Sequence, residues 1–204
     1  MFRQLPLLLV LAFISISPCF ADAGTMKLED MIQRSQYIVL GKVSAVKVVD
    51  GVKLAQIEVT RTLKGDPGIT RLYYWASPSW VCDVSDAKVL EEGIYFLWYP
   101  EVSKPSKEYL RLLKRAHPFL QGATVADLVH SGRGRLRPRY IDSERYLYVH
   151  KYSDVIFPVS IGIVRRSPED PDFGLVRLDD VLSFITNQVR GNAQHNKALQ
   201  LTAR

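Results

Sequence analysis

The sequence predicts a mainly β protein, in which five short strands close into a small barrel and an appended α+β segment ends in an amphipathic helix. Three observations predict it. Apolar and polar residues alternate with a period of two through much of residues 37–115. Gly41 stands midway along the first long strand, and Gly65 and Gly68 mark the loop after the second, where a barrel needs its chain to bend. Leu178, Val181, Leu182, Ile185 and Val189 then recur at helical spacing. An antiparallel sandwich would give a similar strand pattern. The 204-residue chain is 47% apolar and 24% charged, which excludes a disordered or collagen-like polymer.

Phe2-Arg3-Gln4 gives a short positive start, and Leu5 to Ser17 is a 13-residue apolar stretch, the length of a secretory core. Ala21 and Ala23 supply the small residues of a cleavage site, so residues 1–23 are expected to be an export signal cut after Ala23, with Ala21 the second choice. Either cut removes Cys19. A lipoprotein would need Cys19 acylated, and Pro18 before it fits that poorly. The expected compartment is periplasmic or extracellular, where thiols are oxidised. Cys82 would then be a lone thiol that is buried, in a mixed disulfide or in a cross-linked dimer; a cut before Cys19 would let the two cysteines bridge. No apolar run in the mature chain approaches the ~20 residues of a membrane-spanning helix.

A short helix is expected from Met26 to about Arg34, capped by Thr25, with Leu28, Met31 and Ile32 on one side. Tyr37–Val49 and Leu54–Leu63 form a hairpin about Asp50-Gly51, the second strand alternating cleanly. Lys64-Gly65-Asp66-Pro67-Gly68 is a loop, Ile69–Trp75 a third strand, and the almost wholly apolar Gly93–Tyr99 a fourth. Glu108–Arg115 is expected as the fifth, with a short helix the alternative because Leu, Lys and Arg favour one. Thr124 followed by Asp127 fits the start of a two-turn helix ending at Gly132. Tyr146–Tyr152 and Val155–Arg165 are expected strands, the latter interrupted by Pro158, and residues 167–172 a polar turn. Asp179 and Asp180 sit in the first turn of the closing helix, where its dipole favours negative charge. The expected organisation is a signal at 1–23, a barrel at 24–120, an α+β extension at 121–190 and a flexible tail at 191–204.

Four strings, Tyr37-Ile38-Val39-Leu40-Gly41-Lys42-Val43, Val59-Thr60-Arg61-Thr62-Leu63-Lys64-Gly65, Ala76-Ser77-Pro78-Ser79-Trp80-Val81-Cys82 and Glu92-Gly93-Ile94-Tyr95-Phe96-Leu97, resemble in order and spacing the netrin-like OB barrel of the tissue inhibitors of metalloproteinases and their exported bacterial relatives. The resemblance spans residues 24–120. It implies a five-stranded OB-like barrel. In the animal inhibitors an amino-terminal cysteine, bridged to the one matching Cys82, chelates the protease zinc. Cys19 stands at a comparable distance before Tyr37, but Pro18 and the absence of the other cysteines depart from that pattern. Protease inhibition through Cys19 is therefore the alternative reading, with an unrecognised envelope enzyme beside it.

His117, His130, His150 and His195 are scattered without ligand spacing, and no nucleophile elbow, phosphate-binding glycine loop or C-x-x-C pair is present, so neither metal, cofactor nor catalytic residues are expected. The adjacent pair Glu91-Glu92 is explained by turn entry. Residues 24–101 carry 9 basic and 10 acidic side chains and residues 102–204 carry 17 and 10, which places the positive excess in the second half. Within it Arg133, Arg135, Arg137 and Arg139 recur at every second position, so an extended chain presents all four on one face. Gly132 and Gly134 would make the same stretch a mobile, solvated loop. Guanidinium groups suit phosphate and carboxylate, and the expected partner is a protein or an anionic envelope polymer rather than nucleic acid, from which export separates the chain. Among the aromatics concentrated on the third and fourth strands, Trp75 and Trp80 are candidates for a binding face.

Overall fold

The computed structural model describes residues 24–77, 85–100, 106–130, 133–150, 155–166 and 173–202. Residues 1–23, where an export signal is expected, and with them Cys19, as well as Trp80 and Cys82, lie outside the described residues. A two-residue strand β1 (Met26–Lys27) leads into helix α1 (Leu28–Arg34), whose Leu28, Met31 and Ile32 are buried. Strands β2 (Tyr37–Val49) and β3 (Val52–Lys64) form the long hairpin about Asp50-Gly51, followed by β4 (Arg71–Trp75) and β5 (Glu92–Trp98).

Here the chain departs from the expectation. Lys107–Leu120 is a helix, α2, and not a strand. The Ser106 hydroxyl accepts a hydrogen bond from the Tyr109 N–H at 3.0 Å, so a proper N-cap settles a stretch whose leucines satisfy both periods. The expected helix at 124–132 is instead strand β6 (Val125–Leu128), followed by a turn. Val125 and Ala126 pair in parallel with Tyr73 and Tyr74 of β4, while Asp127 and Leu128 pair antiparallel with β5. Tertiary pairing outweighs the local capping signal. The fifth barrel strand thus comes from beyond residue 120.

With β2 also antiparallel to β5, the strand order β2-β3-β4-β6-β5 returns to β2 and closes a five-stranded mixed barrel of OB-like form. Val39, Val43, Ile57, Leu72, Tyr74, Tyr95 and Leu97 fill it. The alternate residues of β2 and β5, Ile38, Leu40, Ile94 and Phe96, face outward into a second core with Leu28, Met31, Leu147, Val176, Val181 and Ile185. Strand β5 is therefore buried on both faces, which is why its sequence is apolar throughout. A third cluster, including Leu54, Tyr73 and Leu120, lies under α2.

The appended segment adds β7 (Arg135–Leu136) to the free stretch of β5, then a four-stranded antiparallel sheet ordered β11 (Arg165–Arg166), β12 (Phe173–Arg177), β9 (Glu144–His150) and β8 (Arg139–Ile141). Strand β10 (Val155–Ile156) pairs in parallel with β1. Between β10 and β11 the chain turns rather than continuing as one strand, because Pro158 has no N–H for a ladder. Helix α3 starts at Leu178 as the spacing requires, but it runs through Gly191 to Thr202 instead of ending at Arg190. Ala193, Gln194, Lys197, Ala198, Leu199 and Gln200 are good helix formers and outweigh one glycine. Among the described residues no helix is long and apolar enough to cross a membrane.

Candidate functional site

The site begins where the chain leaves the barrel. Ile94 and Tyr95 of β5 pair with Leu136 and Arg135 of β7, and the Phe96 N–H donates to the Gly134 carbonyl at 2.7 Å. A Cβ on Gly134 would stand 2.6 Å from the Val129 carbonyl oxygen, so only glycine lets the backbone come this close. Gly134 fixes the segment to the barrel; it does not loosen a loop.

That docking turns Arg135 inward, with its side chain 1% exposed. Its Nε lies 2.9 Å from Oε1 of Glu91, and Nη1 donates to the Tyr74 hydroxyl at 3.1 Å. Arg137 reaches the same Glu91 oxygen at 2.5 Å from a half-exposed position. Neither approach to Oε1 has the alignment of a hydrogen bond, so charge holds this cluster. Burial pushes the Tyr74 phenol up to about 12 against the opposing pull of Arg135, and burial raises Tyr95 as well. Both phenols therefore stay neutral. Glu91 supplies counter-charge to both guanidinium groups, and the Asp86 carboxylate also interacts with Arg135.

Glu92 is engaged differently. The Tyr140 hydroxyl donates to its Oε2 at 2.6 Å, and Arg145 Nη1 lies 3.6 Å from Oε1. The Arg139 guanidinium sits 4.7 Å above the Tyr148 ring, which meets Phe173 edge-on at 6.2 Å. Arg133 Nη1 donates to the Gly24 carbonyl at 3.2 Å, beside His130 Nε2 at 2.9 Å from the same oxygen.

These groups surround one cleft of about 860 Å³ between the barrel wall and the appended segment, within the range of ligand sites. Arg133, Arg135, Arg137, Arg139 and Lys42 line it against two carboxylates, Glu91 and Glu92. The four arginines do meet in one place, but not as a solvated stripe. Residues 137–138 break the strand between β7 and β8, Arg135 is internal, and Arg137, Arg139 and Lys42 are the exposed cations. The arrangement suits an anion that is held by several fixed donors.

Trp75 does not join them. It ends β4 beneath α2, 5.8 Å from the Tyr109 ring. Glu91, Tyr74, Lys42, Tyr140 and Tyr148 were not legible as site residues. For Glu91 the turn explanation is also true, since its Oε2 accepts from the Lys88 N–H at 3.2 Å, and it hides the second role. Among the described residues no group of three or more His, Cys, Asp or Glu side chains is placed to hold a metal ion. No protein-family model and no curated protein matches the sequence.

Proposed function

We propose that this chain is an exported, non-enzymatic binding protein that holds an anionic partner, through phosphate or carboxylate groups, in the cleft between its barrel and its appended segment. The observation that carries this reading is the convergence of Arg133, Arg135, Arg137, Arg139 and Lys42 on one opening that contains two carboxylates. Both carboxylates already have protein partners, so the exposed guanidinium groups of Arg137 and Arg139 retain donors for a ligand. Export rests on the apolar stretch Leu5–Ser17 and the small residues Ala21 and Ala23. The closed barrel over residues 37–128 supports the netrin-like resemblance as to fold.

Retention on phosphocellulose tests the reading. Arg137→Ala with Arg139→Ala should weaken retention by roughly tenfold or more, and Lys47→Ala with Lys114→Ala, exposed and away from the cleft, should change it little. Equal losses from the two pairs would reduce the cleft to a share of general charge. Arg135 is left in place because its buried side chain is part of the cleft wall.

A further inference from the structure

We propose that the cleft docks this protein on an anionic lipid surface, with phosphate headgroups among its arginines and two apolar turns set into the lipid; this rests on the anion-binding reading of the same cleft. Residues 155–164 contain no charged side chain. The segment is fastened at three points: Val155 pairs with Met26, Ile161 is buried, and the Val164 N–H donates to the Leu175 carbonyl at 2.9 Å. Between them the Ile161 N–H donates to the Pro158 carbonyl at 2.9 Å, closing a tight turn with Val159 and Ser160 at its tip. Val159 is 100% exposed, and Ile156, Ile163 and Val164 are 46%, 45% and 47% exposed.

A second apolar turn comes from the barrel. Leu90 is 68% exposed at a φ of 73°, a left-handed conformation rare for a bulky side chain, and Val89 beside it is 53% exposed. The turn is fixed: the Leu90 N–H donates to the Val43 carbonyl at 2.8 Å and the Glu91 N–H to the Lys88 carbonyl at 3.1 Å. Single exposed aliphatic residues are ordinary on a protein surface. Here Leu90 and Phe157, one from each turn-bearing segment, line the same cleft as the arginines, and Val159 follows Phe157 by two residues. Folding gains nothing from holding Val159 and Leu90 out in water. A lipid surface rewards both features together, since aliphatic side chains enter the acyl boundary while Arg137, Arg139, Lys42 and the exposed Arg165 meet anionic headgroups. Charge complementarity favours this over a neutral apolar partner.

Co-sedimentation with phosphatidylglycerol–phosphatidylethanolamine vesicles, against phosphatidylcholine vesicles, tests the proposal. The full chain is compared with Leu90→Asn/Val159→Asn and with Arg137→Ala/Arg139→Ala, all sharing residues 1–23, so that differences report the cleft and its turns. Asn carries no charge and tolerates the left-handed backbone at position 90, which keeps the fold and the net charge. Each variant should lose roughly tenfold in partitioning to the anionic vesicles, and the asparagine variant should keep its retention on phosphocellulose. Sedimentation of the asparagine variant equal to the parent's, or parent binding to phosphatidylcholine as strong as to the anionic vesicles, would overturn the lipid proposal. Phosphocellulose retention that responds to Arg137 and Arg139 without vesicle binding would overturn it too, and would point to a soluble acidic protein. Retention indifferent to those arginines would sink the anion-binding reading itself.

Discussion

Glu91 holds two guanidinium groups on one carboxylate oxygen, and the two are not equivalent. Arg135 is sealed inside and Arg137 is half in water. Removing the carboxylate takes the paired charge away from a buried cation and leaves a second cation close by, whereas removing Arg137 leaves the buried pair intact. We predict that Glu91→Ala lowers stability in urea unfolding by about 3–5 kcal/mol, and Arg137→Ala by no more than about 1 kcal/mol. Similar midpoints for the two variants would mean that Glu91 does not neutralise a buried charge. The distinction matters for the cleft, because it separates Arg135, which builds the wall, from Arg137 and Arg139, which face the opening.

At the scale of elements, β2 is the strand on which the barrel turns: it pairs with β3 along its length and with β5 at its start, and its register slips beside Gly41. A Cβ at Gly41 would lie 2.5 Å from the Glu58 carbonyl oxygen and 2.7 Å from Ile57 Cγ2, atoms of a paired strand that cannot easily withdraw. Gly41→Ala should therefore cost roughly 1–3 kcal/mol. Gly162→Ala, where nothing lies within 4 Å, should be near neutral, and thermal melts of the two give the comparison. A harmless Gly41→Ala would place the bend elsewhere. The glycine was visible in the sequence because a bend in a long strand is a local requirement. The hairpin about Asp50-Gly51 and the start of α3 at Leu178 were visible for the same reason. The exchange of helix and strand at 107–128 was not: Leu110, Leu112 and Leu113 suit either period, and four-residue β6 is a strand only because β4 and β5 leave a place between them.

At the scale of the whole molecule, the cleft exists only where barrel and appended segment meet. It draws Lys42 from β2, Glu91 and Glu92 from the entry to β5, the arginines from residues 133–139, and Phe157 from beyond β10. The arginine repeat announced one wall of it. The opposing carboxylates and apolar turns are distant in sequence and close only after folding, so no local pattern encodes their meeting. The long second core explains how such a junction is held, since α1, α3 and the appended sheet all pack on the outer face of β2 and β5. The central claim, that anions bind at this junction, is tested most directly by hydrogen–deuterium exchange with and without polyphosphate. The account predicts added protection confined to residues 133–148 and 88–92, with none on α2 or around Trp75. Protection centred on α2, or spread evenly over the basic surface, would contradict it.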